Sequence, residues 1–418
     1  MIVRTSQQVI LLCIILFFPR GSCLPVRLPF VWGGFYSCLL YLVEREYFGR
    51  ERERERNYSH APGCFSIVRT HIHIISTEVV AAIEDKVVIF DAKDKDPKNW
   101  KEAHELDDHD MCVSSVDWSE ATNQIVSCSH DRNAFVWTFD KKANQWMPKL
   151  VILRIDRAAN QVRWSPNGKK FAVASSAKKV PVCHYEDDQE WWISTMIKKH
   201  KSSVLCLDWH PNNQMIVTGS CDFRCRVFCT FMSELDDAQD NGPFEGKLEE
   251  DPEFGDLICE FTAKGWIESV AWSPSGKQLA FASHDSALTI VDFTGDEVSQ
   301  QTIKLAKLPL RDIVFASEDR IFAVGYDFLP YIFDTDGDEW SLTKDINSQG
   351  AKKATKKKAT AASFWQNKTA LGSAKATKSL KTKHENTITS VRKKTAGVYT
   401  SSGLDGRIYE WKVSASKK

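Results

Sequence analysis

Three histidines stand a fixed distance ahead of three aspartates: His109 and Asp131, His200 and Asp222, His384 and Asp405, at separations of 22, 22 and 21 residues. A His–Asp pair can orient a general base. It can equally tie two loops together, since a buried carboxylate needs a partner or costs several kcal/mol. Recurrence at one spacing favours the structural role. A second candidate is Cys221-x3-Cys225-x3-Cys229. Zinc sites usually separate paired ligands by two or four residues and need a second pair, so buried free thiols are the preferred reading. The chain carries no Gly-rich phosphate loop, nucleophile elbow or metal signature. Neither an enzyme nor a cofactor is expected.

The elements that position these residues form a repeat. An apolar residue and an aromatic stand two apart in Val116/Trp118, Val162/Trp164, Leu207/Trp209, Val270/Trp272 and Ile313/Phe315. That spacing puts both on one face of a strand. Thirteen residues after the aromatic comes Asp131, Asp222 or Asp285, and twelve after Phe315 comes Asp327. Six residues beyond each Asp stands Trp137, Phe228, Val291 or Phe333. The last copy has Asp405 and Trp411, with Val391 in the aromatic's place, and the Trp164 copy has Ala177 instead of Asp. Turn sequences such as SPNGK and HPNNQ follow the aromatic, and an apolar strand such as FAVAS or MIVTGS follows the turn. Each unit therefore reads strand, turn, strand, turn, strand, with a fourth strand in the variable stretch beyond.

Aromatic-to-aromatic intervals are 46, 45, 63, 43 and 76 residues. Two insertions account for the long ones, and without them the period lies in the low-to-mid forties. A period of about 40–45 with four strands per unit is the WD-repeat pattern of a β-propeller. A partial copy over 78–92 brings the count to seven. The predicted fold is all-β, a seven-bladed WD-repeat propeller over 66–418. His109, Asp131, Trp137, His200, Asp222, Asp285, Asp327, His384, Asp405 and Trp411 are its structural blade residues. If 66–75 (SIVRTHIHII) supplies a single strand that closes the ring on the last blade, blade 1 is left one strand short.

Charge is neutral in sum and segregated along the chain. Lys and Arg number 55, Asp and Glu 55. The first insertion, 233–256, holds ten acids and one base, Lys247. The second, 335–383, includes ten Lys and no acid between 351 and 383. Blocks of one sign repel themselves and read as exposed loops. Residues 1–65 are set apart as a signal-like or artefactual extension. Val9 to Phe18 form a ten-residue apolar run before Gly21-Ser22-Cys23, too short to span a bilayer. A working signal would place twelve Cys in a disulfide-forming compartment, yet their scattered spacing shows no small-domain framework. The sequon at Asn57 has meaning only in that case.

Several strings within the repeat are specific: NWKEAHELDDH (99–109), DRNAFVWTF (131–139), LVILRIDRAANQVRWSPNGKKFAVAS (150–175), SVLCLDWHPNNQ (203–214) and GSCDFRCRVF (219–228). They resemble the WD-repeat subunit 1 family of the actin-related protein 2/3 complex, from about residue 78 to 413. The resemblance implies a non-catalytic scaffold in the cytoplasm and actin cytoskeleton. Its implied partners are the other subunits of that complex, actin filaments and nucleation-promoting factors. Neither nucleic acid nor membrane insertion is expected. In that family the insertion between blades 6 and 7 carries a short amphipathic helix that reaches toward actin. Here Phe364, Trp365 and Gln366 occupy its aromatic-Gln core, and Lys356, Lys357 and Lys358 stand beside it. An aromatic in a polar, Lys-rich insertion reads as a partner anchor, and the lysines suit an acidic surface. The alternatives are a peptide-binding adaptor of the histone-binding type and a nucleic-acid-associated scaffold using the Lys block.

Overall fold

The computed structural model describes residues 72–75, 78–94, 99–337, 339–346 and 382–413. Residues 1–65, including the apolar runs and the sequon, lie outside the described residues.

Short strands are built from the β-branched, Ala and aromatic runs of each repeat, with Asp, Asn and Gly turns between them. They form seven antiparallel sheets, the blades of a β-propeller. The innermost strands of blades 2 to 7 are Val113–Ser119, Ala159–Trp164, Val204–Trp209, Ile267–Trp272, Leu310–Ser317 and Ile388–Thr395. In blades 2 to 6 they carry the repeat's aromatics, and in blade 7 Val391. Blade 1 is complete. Ile72–Ile75 pairs with Glu78–Ile83 and serves as that blade's own innermost strand, with Lys86–Asp91 and Lys101–Leu106 outside it. Among the described residues it is blade 7 that has three strands, Ile388–Thr395, Val398–Gly403 and Ile408–Lys412. A four-residue strand shows too little alternation for the sequence to assign it to a partner.

The core is interdigitated between neighbouring blades rather than gathered at one centre. One cluster joins Val126, Val136 and Val151 of blade 2 to Val162, Trp164 and Phe171 of blade 3. Another joins Ala280 and Ile290 of blade 5 to Ile313, Phe315 and Phe333 of blade 6. Edge-to-face aromatic pairs such as Trp164–Trp192, at 5.8 Å, fill these seams.

Alternating strand direction sorts the connections. Turns between strands one and two, and three and four, emerge on one face of the disc. Turns between strands two and three, and the links from blade to blade, emerge on the other, termed here the linker face. On the linker face each two-to-three turn holds one residue with left-handed φ: Glu84, Arg132, Lys178, Phe223, Ser286, Phe328 and Gly406. Only the last is the residue type that adopts this conformation freely. In blades 2 to 7 the first N–H of this turn donates to the carbonyl of the preceding link, as from His130 to Cys112 and from Cys221 to Ser203, at 2.8–3.2 Å.

Candidate functional site

Turn and link are held together by the His–Asp pairs. In blade 2, Trp137 Nε1 donates to Ser127 Oγ at 2.9 Å, and Ser127 Oγ lies 2.8 Å from His109 Nε2. His109 Nδ1 stands 2.7 Å from Asp131 Oδ2. The contacts run in one chain from indole to hydroxyl to imidazole to carboxylate, with Nδ1 facing the carboxylate and Nε2 the hydroxyl. Asp131 also accepts the backbone N–H groups of Asn133 and Asp110. Burial pushes its carboxyl up, but the His109 bond and these N–H groups outweigh burial and hold it below the usual range. Blade 7 repeats the chain through Trp411, Ser401, His384 and Asp405, at 2.7, 2.8 and 3.0 Å.

Blade 4 departs from this pattern. Phe228 replaces the Trp and has no N–H. Arg226 takes Asp222 at 2.8 Å, and Lys201 N donates to the same oxygen. His200 keeps Thr218 at 2.9 Å, while its Nδ1 meets no polar partner among the described residues. Burial, with Arg226 nearby, pushes His200 down to about 4. In blade 5, Asp285 turns to Lys304 at 2.8 Å and to Ser283. Asp327 accepts Leu308 N–H at 3.0 Å and the Tyr331 hydroxyl at 2.9 Å. Each of these groups is engaged in holding a blade, and the unpartnered ring nitrogen, His200 Nδ1, is buried.

The central channel holds a second network, which sequence reading missed. A side chain on one innermost strand accepts the backbone N–H of the next: Asp117 from Trp164, Gln161 from Leu207, Asp208 from Trp272, Ser269 from Ile313 and Asp312 from Val391. These bonds measure 2.7–3.2 Å. The signal was a polar residue among the apolar ones of each innermost strand. On the innermost strands, Arg392 pairs with Asp312 and Glu268 with Arg311, and Glu268 also meets His284 of its own blade's two-to-three turn.

Burial raises Asp208 to about 6, although Trp272 N–H and Arg163 oppose the shift. A raised carboxyl pKa means the fold binds the proton more tightly than the unfolded chain. Its stabilising contribution is complete below about pH 4 and is lost as pH rises toward 6. Asp208→Asn keeps an oxygen for Trp272 N–H and removes the charge. The variant is expected to be more stable than the parent at pH 7.5 and indistinguishable near pH 4. Urea unfolding at the two pH values measures this, and a variant less stable at pH 7.5 refutes it.

The acidic insertion joins strands three and four of blade 4 and therefore lies on the face opposite the links. It is docked rather than free. Asp236, whose side chain is 4 % exposed, meets the fully buried Lys170 of blade 3 at 2.7 Å, and Lys170 Nζ also donates to Thr230 O at 3.0 Å. Gln214 of blade 4 bonds Ala238 O and Asp240 N. Lys247, the insertion's one base, reaches Phe293 O and Gly295 O in blade 5 at 2.8 and 2.7 Å. Phe244 buries its ring 4.9 Å from that of Phe293. Thus a few anchors override the repulsion that suggested an exposed loop.

Phe364, Trp365, Gln366, Lys356, Lys357 and Lys358 lie outside the described residues. The insertion read as 335–383 starts later than that, because Trp340–Asp345 pairs with Tyr331–Thr335 as the fourth strand of blade 6; Ile346 and Thr382 flank the remainder, between blades 6 and 7 at the linker face. Cys225 and Cys229 are buried on one strand, with Cys221 in the turn before it, and all eight described cysteines are free. Burial raises all three thiols, as expected of inert packing groups. Among the described residues no cluster of three or more His, Cys, Asp or Glu has metal-site geometry.

Comparison with known proteins places this ring. The family model "WD domain, G-beta repeat" matches residues 100–138, 192–229 and 255–292. Actin-related protein 2/3 complex subunit 1B of Arabidopsis thaliana is 38% identical over 355 residues, covering 80% of this chain and 90% of that protein. Subunit 1A-B of Xenopus laevis is 38% identical over 323 residues, 75% of this chain and 85% of its own length. Subunit 1 of Schizosaccharomyces pombe is 36% identical over 343 residues, 76% and 89% respectively. Similarity spread over nearly the whole of each relative covers the ring and not one repeat, so the chain belongs to the family of subunit 1 of the actin-related protein 2/3 complex.

Proposed function

We propose that the chain is the non-catalytic propeller subunit of an actin-related protein 2/3 complex in the cytoplasmic actin cytoskeleton. There it holds other subunits and contributes to nucleating branched filaments, with nucleation-promoting factors and actin filaments as further partners. The observation that carries the reading is 38% identity to a subunit 1 across 90% of that protein's length. The His–Asp pairs support it from another direction, because they face into blades where a substrate has no access. The test is purification from cells at moderate salt with identification of the co-purifying proteins. Recovery of both actin-related proteins is the expected result. Nuclease-sensitive recovery of nucleic acid without them would overturn the reading.

In this proposal the second insertion is the actin contact, with Phe364, Trp365 and Gln366 as anchors and Lys356, Lys357 and Lys358 meeting acidic actin. Replacing Phe364 and Trp365 by Ala is expected to reduce branch formation about tenfold, the effect of losing one interface hot spot. The subunit should remain in the complex. Loss of assembly would show instead that the insertion is structural.

A further inference from the structure

The linker face is divided by charge. Around blade 1 it is acidic, through Glu84, Asp85, Asp107, Asp108 and Asp110. From blade 2 round to the link into blade 6 the exposed charges are bases, among them Arg132, Arg157, Lys178, Lys199, Lys264 and Lys307. Nearly every acid of this sector is already occupied within the fold: Asp131 by His109, Asp222 by Arg226, Asp285 by Lys304. Asp156 alone stands exposed among them.

Large apolar side chains project between these bases. Ile152 is 51% exposed, Phe223 42%, Trp266 36% and Leu308 52%. Each sits at a turn, a link or a strand end on this one face. Phe223 does so with φ of +67°, a conformation that disfavours a bulky side chain. Trp266 lies 5.3 Å from the His284 ring, which holds it at the rim.

We propose that this sector is a docking surface for an anionic lipid bilayer. Phosphate-bearing headgroups would meet the bases, and the four apolar tips would enter the boundary between headgroups and acyl chains. Two features favour a bilayer over a folded acidic protein. The apolar tips are exposed and spread from blade 2 to the link into blade 6, whereas protein hot spots cluster in a central packed patch. The bases and tips also lie on one face of a disc, as a planar interface requires. Aromatic and aliphatic side chains interspersed with Lys and Arg are what the headgroup boundary accommodates. The binding is peripheral, and among the described residues no helix is long and apolar enough to cross a membrane.

The test is co-sedimentation of the purified full chain with phosphatidylcholine vesicles, alone or containing roughly one third phosphatidylserine, across a salt series. The parent should bind only the anionic vesicles, and less as salt rises. Lys199→Glu with Lys264→Glu should weaken binding at least tenfold. Phe223→Gly with Trp266→Ser should weaken it several-fold with the salt dependence intact. All four positions are exposed, and unchanged thermal melting shows that the variants fold. Three outcomes would overturn the proposal. The parent does not bind; the charge variant binds like the parent, which moves the interaction to the Lys-rich insertion; or the aromatic variant binds like the parent, which assigns the sector to an acidic protein surface.

Discussion

Lys170→Ala should cost the fold about 3–5 kcal/mol, lowering the melting temperature by on the order of 10 °C. Lys170 is fully buried between blades 3 and 4, with its Nζ on Asp236 and on Thr230 O. Burial pulls its pKa below the usual ammonium range in spite of Asp236. Removing the ammonium leaves a buried carboxylate that keeps only the Met232 N–H, at 2.9 Å. The cost therefore lies mostly in the stranded charge and not in the lost attraction. Lys170→Met combined with Asp236→Leu should recover most of it, since an apolar pair strands nothing. A double-mutant cycle in urea reads the coupling directly. If the Lys170 and Asp236 losses simply add, the pair is not the anchor described. The single variant should also expose the acidic insertion, which limited proteolysis between 233 and 256 would register.

His109→Ala and His384→Ala should each cost roughly 2–4 kcal/mol, and His200→Ala clearly less. In blades 2 and 7 the histidine is the middle of an unbroken chain from indole to carboxylate. Its removal takes one partner from a buried hydroxyl and one from a buried acid together, leaving the hydroxyl its indole N–H and the acid its backbone N–H groups. In blade 4 Asp222 already has Arg226, and Phe228 offers no N–H to strand. Urea midpoints of the three variants give the ranking, and equal losses would contradict it. The pH dependence follows from the direction of the shifts. Asp131 and Asp405 are held below the ordinary aspartate value. Their contribution is thus complete above about pH 4 and disappears as pH falls through the folded values. The difference between parent and His109→Ala should shrink in the same acidic range.

The repeat was legible in the sequence because its markers are local. The aromatic, the turn and the Asp sit within thirteen residues of one another, so the blades could be counted by spacing. Chemistry that crosses blades was not legible. Lys170 opens a strand that is buried on both faces, Lys170–Ser175, and one lysine ahead of the apolar FAVAS run drew no reading of its own from the sequence. Its partner, 66 residues away, lay in a stretch read only for its summed charge. Blade 4 shows the same limit. That Phe228 lacks an indole N–H was plain, but Arg226 drawing Asp222 away from His200 depends on side-chain placement that spacing does not encode. Neither could Asp285 be told apart from the other turn aspartates until Lys304 was placed beside it.

The two faces of the disc have one more consequence. A chain with 55 acids and 55 bases has no net charge through which a distant partner could pull it. Here the acidic strap lies on one face and most of the exposed bases of blades 2 to 6 on the other. Among the described residues the separation gives the ring a dipole moment along its axis, tilted by the acids of blade 1. A charged body approaching that field exerts a torque on the ring as well as any net force. The ring is turned to present one face before contact, and at low ionic strength that turning acts over a longer distance.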